Sequence, residues 1–354
     1  MISEKIQKIP VSNNHLQKPD FFGLVTSLIS TLPERSQEIL KKRFGLIAEH
    51  GETLEKIGQD YKITRERVRQ IITDAIKNIS KKDSEERFKD VEGWLVFTIE
   101  KNHGIIKEKE IIKKLGSRDF REKNSLKLFV QCSKKVSEVF EKGTLEKSWV
   151  LSKDVVNSVK KVHLEAKDIL EKGKKPLSDG DILKKIQERI EEMEKDQILN
   201  FLSVLTEIKK NVFGKWGIKH WDEISPKGTR EKIYLILKET KKPLHFTQIA
   251  ILIDEYKLGK KKAHPQTVHN ELIKDERFVL IGRGIYALRQ WGYEEGTIKD
   301  VLKDILEKSE KPLHKNEIIA EVLKIRKVKK TTVMINLNNE KVFEKRENLY
   351  SVRK

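Results

Sequence analysis

The 354-residue chain holds one cysteine, eight prolines and eighteen glycines, and only 7% of its residues are aromatic. Each scarcity excludes something. A lone Cys132 makes neither an internal disulfide nor a thiolate metal cluster. So few prolines and glycines, with apolar residues spaced throughout, exclude a disordered or low-complexity chain. No stretch approaches the roughly 18 consecutive apolar residues of a membrane span, and the opening MISEKIQKIPVSNNHLQKPD has no apolar segment of the kind a secretion signal needs. Hydrophobic residues make up 37%, below the roughly 45–50% usual for globular proteins. Several small domains with high surface-to-volume ratios account for that better than one large core. These readings predict a soluble, cytoplasmic protein.

What the chain has in abundance is charge: 36% of residues, with 74 basic against 55 acidic for a net +19. The surplus is uneven. Met1 to Asp90 has 17 basic and 14 acidic residues, Val91 to Lys227 has 29 and 23, and Gly228 to Lys354 has 28 and 18. An anionic partner follows, and nucleic acid is the commonest one for a soluble intracellular chain, with solubility alone as the alternative.

A phrase recurs along the chain: KKPLSDGDI from Lys174, KKPLHFTQI from Lys241 and EKPLHKNEI from Glu310, with a weaker copy, NHGIIKEKEI, from Asn102. Each lies between two amphipathic helical stretches. Pro176, Pro243 and Pro312 mark a turn, and Ser178, His245 and His314 stand where an N-cap belongs, with Asp181, Gln248 and Glu317 three residues on. That is capping-box spacing. Farther along, strand patterns recur around Gly or Asn turns: VFEKGTLEKSWVLS, FVLIGRGIYALR and VFEKRENLYSV. Phe140 and Trp149, Phe278 and Tyr286, and Phe343 and Tyr350 bracket these turns and are expected to pack on the preceding helices. The second copy keeps Phe213 and Trp221 but has Asp222 and Glu223 where the others stay apolar. Two helices, a third helix and a hairpin in about 60 to 70 residues is a winged-helix layout. The expected fold class is mainly α with small β-hairpins. Its expected limits are a flexible segment at 1–20, a helix-turn-helix at 21–82 and winged helices at 85–154, 155–227, 228–293 and 294–354.

The N-terminal unit departs from the repeat. Leu54, Ile57 and Gly58 share one face of a short helix, a tight connection runs through Tyr61 to Ile63, and Thr64 caps a second helix. Val68, Ile71, Ile72, Ala75, Ile76 and Ile79 form its apolar stripe, leaving Arg65, Glu66, Arg69 and Gln70 outward on the first two turns. Those residue types suit a major groove. Arginine can give two parallel hydrogen bonds to guanine, glutamine can pair with adenine, and a carboxylate can accept from cytosine N4. Thr64, Arg67 and Lys77 stand where phosphates would be met. Taken alone, RERxRQ reads equally as an exposed helix start with solvated charges.

LPERSQEILKKRFGL followed by TLEKIGQDYKITRERVRQI closely resembles region four of primary bacterial sigma factors, over about 50 residues. The resemblance implies that Arg65, Glu66, Arg69 and Gln70 read an upstream promoter element, and that Glu34 to Phe44 supports the domain near a contact with RNA polymerase core. The chain departs from the family at Ile72, Thr73, Asp74 and Asn78, and nothing in it resembles the aromatic-rich sigma helix that melts promoter DNA. ILKETKKPLHFTQIAILI with GRGIYALR, and ILEKSEKPLHKNEIIAEV with ENLYSV, resemble HARE-type winged helices, as in the delta subunit of some bacterial RNA polymerases. Lys260, Lys261 and Lys262 in the third unit, and Arg326, Lys327, Lys329 and Lys330 in the fourth, precede third helices and are candidate phosphate contacts, with a solvated loop as the alternative. The third helices of the first two units, SLKLFVQCSKK and DQILNFLSVLTEI, are apolar or lack bases and read as packing surfaces.

Other chemistry is thin. His264 and His269 are five apart, a poor match to metal-ligand spacing. Cys132 sits in an apolar run. No nucleotide loop, nucleophile elbow or metalloprotease motif occurs, so no metal, cofactor, small-molecule substrate or enzymatic reaction is expected. The expected partners are double-stranded DNA and RNA polymerase core, with no membrane. The leading expectation is a sequence-specific regulator of transcription initiation on a bacterial nucleoid, and its rival a polymerase accessory subunit or anti-sigma-like adaptor binding mainly protein.

Overall fold

A computed structural model of the chain describes residues 19–293, 296–309, 311–326 and 328–353. Most of the expected flexible segment at 1–20 lies outside them. The described residues contain sixteen α-helices and eleven short strands and divide into two compact units. Unit 1 runs to Lys209 and includes Trp216–Lys219; unit 2 takes Lys210–Lys215 and His220 onward. No described helix is long and apolar enough to cross a membrane.

Unit 1 opens with four helices, α1 (Phe21–Ser30), α2 (Glu34–Phe44), α3 (Leu54–Asp60) and α4 (Arg65–Ser80). The first winged helix follows: α5 (Glu86–Glu100), β1 (Ile105–Lys107), α6 (Glu108–Leu115), α7 (Phe120–Cys132), β2 (Ser137–Glu141) and β3 (Leu145–Val150), with strand order β1-β3-β2. These two parts share one core from Phe21 to Trp149. Its centre is aromatic: Phe129 of α7 lies 5.8 Å edge-on to Phe21 and 4.8 Å from Phe88, and Phe21 lies 5.8 Å edge-on to Trp94. Polar side chains of α7 fasten the same joint. Glu122 accepts from the free backbone N–H groups of Phe21 and Phe22 at the start of α1, both at 3.2 Å. Asn124 donates to the Gly45 and Glu49 carbonyls beyond α2. Each closes backbone groups that a helix end leaves unpaired.

The second winged helix comprises α8 (Lys153–Gly173), α9 (Asp179–Gln187), α10 (Lys195–Val204), β4 (Ile208–Lys210) and β5 (Trp216–Ile218). Its hairpin is cut to three residues a strand. The buried aromatic completing it is Trp216, whose Nε1 donates to Asp179 at 2.6 Å. The expected pair Phe213 and Trp221 does not bracket this turn: Phe213 stacks on Tyr256 at 4.5 Å in unit 2, and Trp221 lies beyond the strand. Here α10 is covered in turn by the first winged helix, with Asn200 donating to the Asn102 and Ile105 carbonyls at 2.6 and 3.0 Å.

Unit 2 holds α11 (Thr229–Thr240), β6 (Leu244–His245), α12 (Phe246–Glu255), α13 (Pro265–Lys274), β7 (Phe278–Gly282) and β8 (Ile285–Leu288), in strand order β6-β8-β7. Next come α14 (Ile298–Lys308), β9 (Leu313–His314), α15 (Lys315–Ile325), α16 (Lys330–Leu337), β10 (Phe343–Arg346) and β11 (Leu349–Val352), in order β10-β11-β9. The recurring phrase encodes more than a turn. Lys174 and Lys241 end their helices in the left-handed conformation, at φ 47° and 53°. The Leu-His of the third and fourth copies then forms a short strand on the hairpin, and the histidine caps the next helix in a capping box with Gln248 or Glu317. Of the bracketing aromatics, Trp149, Phe278, Tyr286, Phe343 and Tyr350 are buried, whereas Phe140 is 64% exposed. The irregular register of β2 between Val139 and Glu141 accompanies this outward turn.

Phe129 binds two motifs into one core, so Phe129→Ala is expected to cost about 3–5 kcal/mol and to lower the stability of both together. Urea unfolding followed by tryptophan fluorescence and by far-UV circular dichroism should give one shared, down-shifted transition; separate transitions would contradict a common core.

Candidate nucleic-acid interface

Helix α3 starts at Thr53, whose hydroxyl accepts from the Lys56 N–H, and α4 starts at Thr64, which accepts from Arg67 N–H at 3.1 Å. Between them Lys62 takes φ 52° and the Ile63 N–H donates to the Gly58 carbonyl at 2.9 Å. This closes the turn so tightly that a Cβ on Gly58 would stand 2.7 Å from the Ile63 carbonyl oxygen. Helix α2 braces the same turn. Arg35 donates to the Tyr61 carbonyl, the Tyr61 hydroxyl donates to Glu38 at 2.7 Å, and Lys42 pairs with Asp60 at 2.5 Å.

With the turn fixed, α4 has little choice of orientation. Val68, Ile72, Ala75 and Ile79 are buried, and Ile71 and Ile76 pack against the same core while half-buried. Arg65, Glu66, Arg67, Arg69 and Gln70 are therefore exposed together on the first two turns. Lys77 is exposed too, twelve residues after Arg65, which is about 18 Å along a helix axis. Glu66, Gln70, Thr73 and Lys77 follow 4-3-4 spacing, so they share one outer stripe.

The outward side chains are already paired with one another. Arg69 donates from Nε and Nη2 to Glu66, with the shortest contact at 2.6 Å, and Arg67 Nη1 donates to Gln70 at 3.2 Å. The hydrogen bond from Arg69 holds the Glu66 carboxyl below its usual range, and the carboxylate raises Arg69 in return. Both groups are thus charged at neutral pH, and the pair is lost only as pH falls through the depressed Glu66 value. Exposed pairs of this kind contribute little to stability, so a base edge can replace either partner.

In the third winged helix Lys260, Lys261 and Lys262 are exposed in the loop before α13, none in an ion pair among the described residues. Two further cations flank them that sequence reasoning passed over. Arg283 is exposed at the tip of the β7–β8 hairpin, signalled by its place between two glycines, and the Lys232 ammonium of α11 lies near Gly259. Only the folded chain brings Lys232 there. In the fourth, Lys329 and Lys330 are exposed at the start of α16. Arg326 does not join them: it is 4% exposed, and its guanidinium donates to the Leu280 and Gly296 carbonyls. It is a structural clamp rather than a phosphate contact, because two carbonyls facing a closed space need donors that water cannot supply. Lys327 lies outside the described residues. No cluster of three metal-ligating side chains occurs among the described residues. Cys132 is buried, and loss of solvation pushes its thiol up to about 12.

A glycine-tightened turn and a polar, outward recognition face define a DNA-binding helix-turn-helix, followed here by tandem winged helices. Residues 28–81 match the family model of Sigma-70, region 4, and residues 229–291 match that of HARE-HTH, the helix-turn-helix domain named for ASXL and restriction endonuclease proteins. The first segment is similar to RNA polymerase sigma factors. RpoD of Helicobacter pylori is 38% identical over 74 residues, which are 21% of this chain and 11% of that protein. SigA of Clostridium acetobutylicum is 35% identical over 63 residues, 18% and 17% of the two chains. SigA of Lactococcus lactis subsp. cremoris is 44% identical over 52 residues, 15% and 14% of the two chains. The chain thus spans between 11% and 17% of the length of these curated relatives.

Alanine normally stabilises a helix relative to glycine by about 1 kcal/mol. At Gly58 the contact with Ile63 reverses the sign. Gly58→Ala is expected to destabilise by about 1–3 kcal/mol, read as a lower melting temperature. An unchanged or raised value would show that the turn is looser than this geometry. A thiol reagent at pH 8 should modify Cys132 only once denaturant is added.

Proposed function

We propose that this protein is a sequence-specific DNA-binding regulator of transcription initiation that reads promoter DNA through α4. The observation carrying this reading is the exposed row Arg65, Glu66, Arg69 and Gln70, held outward by the Thr64 cap and the buried stripe, within the segment that matches Sigma-70, region 4. Arg65 and Arg69 meet guanine O6 and N7, Gln70 meets adenine, and Glu66 accepts from cytosine N4. Thr64, Arg67 and Lys77 border that contact on phosphates, while Lys260, Lys261, Lys262, Lys329 and Lys330 add affinity without reading sequence. The protein acts by binding rather than by catalysis, in a bacterial cytoplasm and on the nucleoid. RNA polymerase core is its expected protein partner, a reading supported by the names of the sigma factors that residues 28–81 resemble.

Arg69→Ala is expected to weaken binding to the preferred site on the order of ten- to a hundred-fold while leaving most of the salt dependence. Changing Lys260, Lys261 and Lys262 to alanine should instead flatten the slope of affinity against salt for every sequence. Footprinting and binding titrations at two salt concentrations separate the two effects. A preserved site preference in Arg69→Ala would refute readout by α4.

A further inference from the structure

The four third helices of the winged modules differ in what they leave open. Ser125, Leu126, Leu128, Phe129, Val130 and Cys132 of α7 are buried, and α10 exposes nothing beyond Asp196. On α16 the most exposed side chain is Ile335, at 73%, and Asn336 donates back to the Thr332 carbonyl of its own helix. Helix α13 is the exception. Val268 and Leu272 are its buried stripe, and the opposite side exposes Gln266, Thr267, Asn270, Ile273 and Lys274 at one helical spacing. Its one acid, Glu271, is occupied by Arg230 at 2.5 Å.

The chemistry of that face is specific. Gln266 Nε2 donates to Asn270 Oδ1 at 3.1 Å, which holds the two amides side by side one turn apart. Gln266 Oε1 and Asn270 Nδ2 have no other hydrogen-bond partner among the described residues. Together they offer one acceptor and one donor, the complement of adenine N6–H and N7. Thr267 and Ile273 flank them with methyl groups, which suit the C5-methyl of thymine. That gives the 64% exposure of Ile273 a purpose. Charge supports a duplex occupant: Lys260, Lys261 and Lys262 adjoin the start of α13, Lys274 lies at its end, and Arg283 tips the hairpin that follows. Cations on both sides of an uncharged reading row are what a helix between two phosphate backbones requires.

We infer that α13 is a second reading helix, which recognises A·T base pairs in the major groove of double-stranded DNA through Gln266 and Asn270. This goes beyond readout by α4 and does not depend on it. Unlike the arginine-based row of α4, the α13 row discriminates without contributing charge.

Selection from random duplex DNA with the full chain, at physiological salt, tests the inference. The unaltered protein should enrich a motif containing an A·T block. The double variant Gln266→Ala, Asn270→Ala should lose that block, with affinity for it falling on the order of ten- to a hundred-fold, while Arg69→Ala keeps it. Both amides are exposed, so an unchanged thermal melt is expected and controls for folding. The variant with alanine at 260, 261 and 262 should bind all sequences more weakly yet retain the block. An A·T block that survives loss of both amides, or its absence from the unaltered protein's motif, would overturn the inference.

Discussion

A helix that is apolar on two faces cannot be left against water, and unit 1 is organised by that constraint. The third helix of a winged module uses one face for its own core; α7 and α10 are apolar on the other as well. The helix-turn-helix covers α7, and the first winged helix covers α10. The consequence for function is a division of labour. Helices that would occupy a groove in another winged protein serve here as internal struts, and α4 is left with the outward polar row.

The same packing explains the stiffness of the reading surface. Phe129, Glu122 and Asn124 tie α1 and α2 to the first winged helix, and α2 in turn braces Tyr61 and Asp60 in the turn before α4. Positioning therefore passes through rigid contacts from one module's core to the other's recognition helix. A groove-reading side chain needs such support, since a bidentate contact tolerates little misplacement.

Much of this was legible in the sequence because the signals are local. The 3.6-residue stripe from Val68 to Ile79 fixed which side of α4 faces out, the Ser-or-His caps marked helix starts, and paired aromatics marked hairpins. The failures have local causes too. Phe140 has the right spacing, but an irregular register turns it outward. Phe213 follows the pattern of the second hairpin yet packs with Tyr256, because a three-residue strand leaves no room for it. Arg326 sits in a run of cations and carries no sign in its neighbours that two distant carbonyls need its donors. The amide row of α13 was hidden for a different reason: uncharged polar residues on a helix look like ordinary surface until the other third helices prove to be covered.

The Arg326 clamp also bears on mechanics. Leu280 belongs to the hairpin of the third winged helix and Gly296 to the segment before α14, so one guanidinium joins the two modules of unit 2 across what would otherwise be a free linker. Two tethered binding modules normally lose orientational freedom when both engage one ligand, and the linker sets how steep that loss is. Here the loss is taken during folding instead. Unit 2 meets DNA as a gauge of fixed length rather than as two beads on a string, and it is suited to register the distance between contacts as well as their identity.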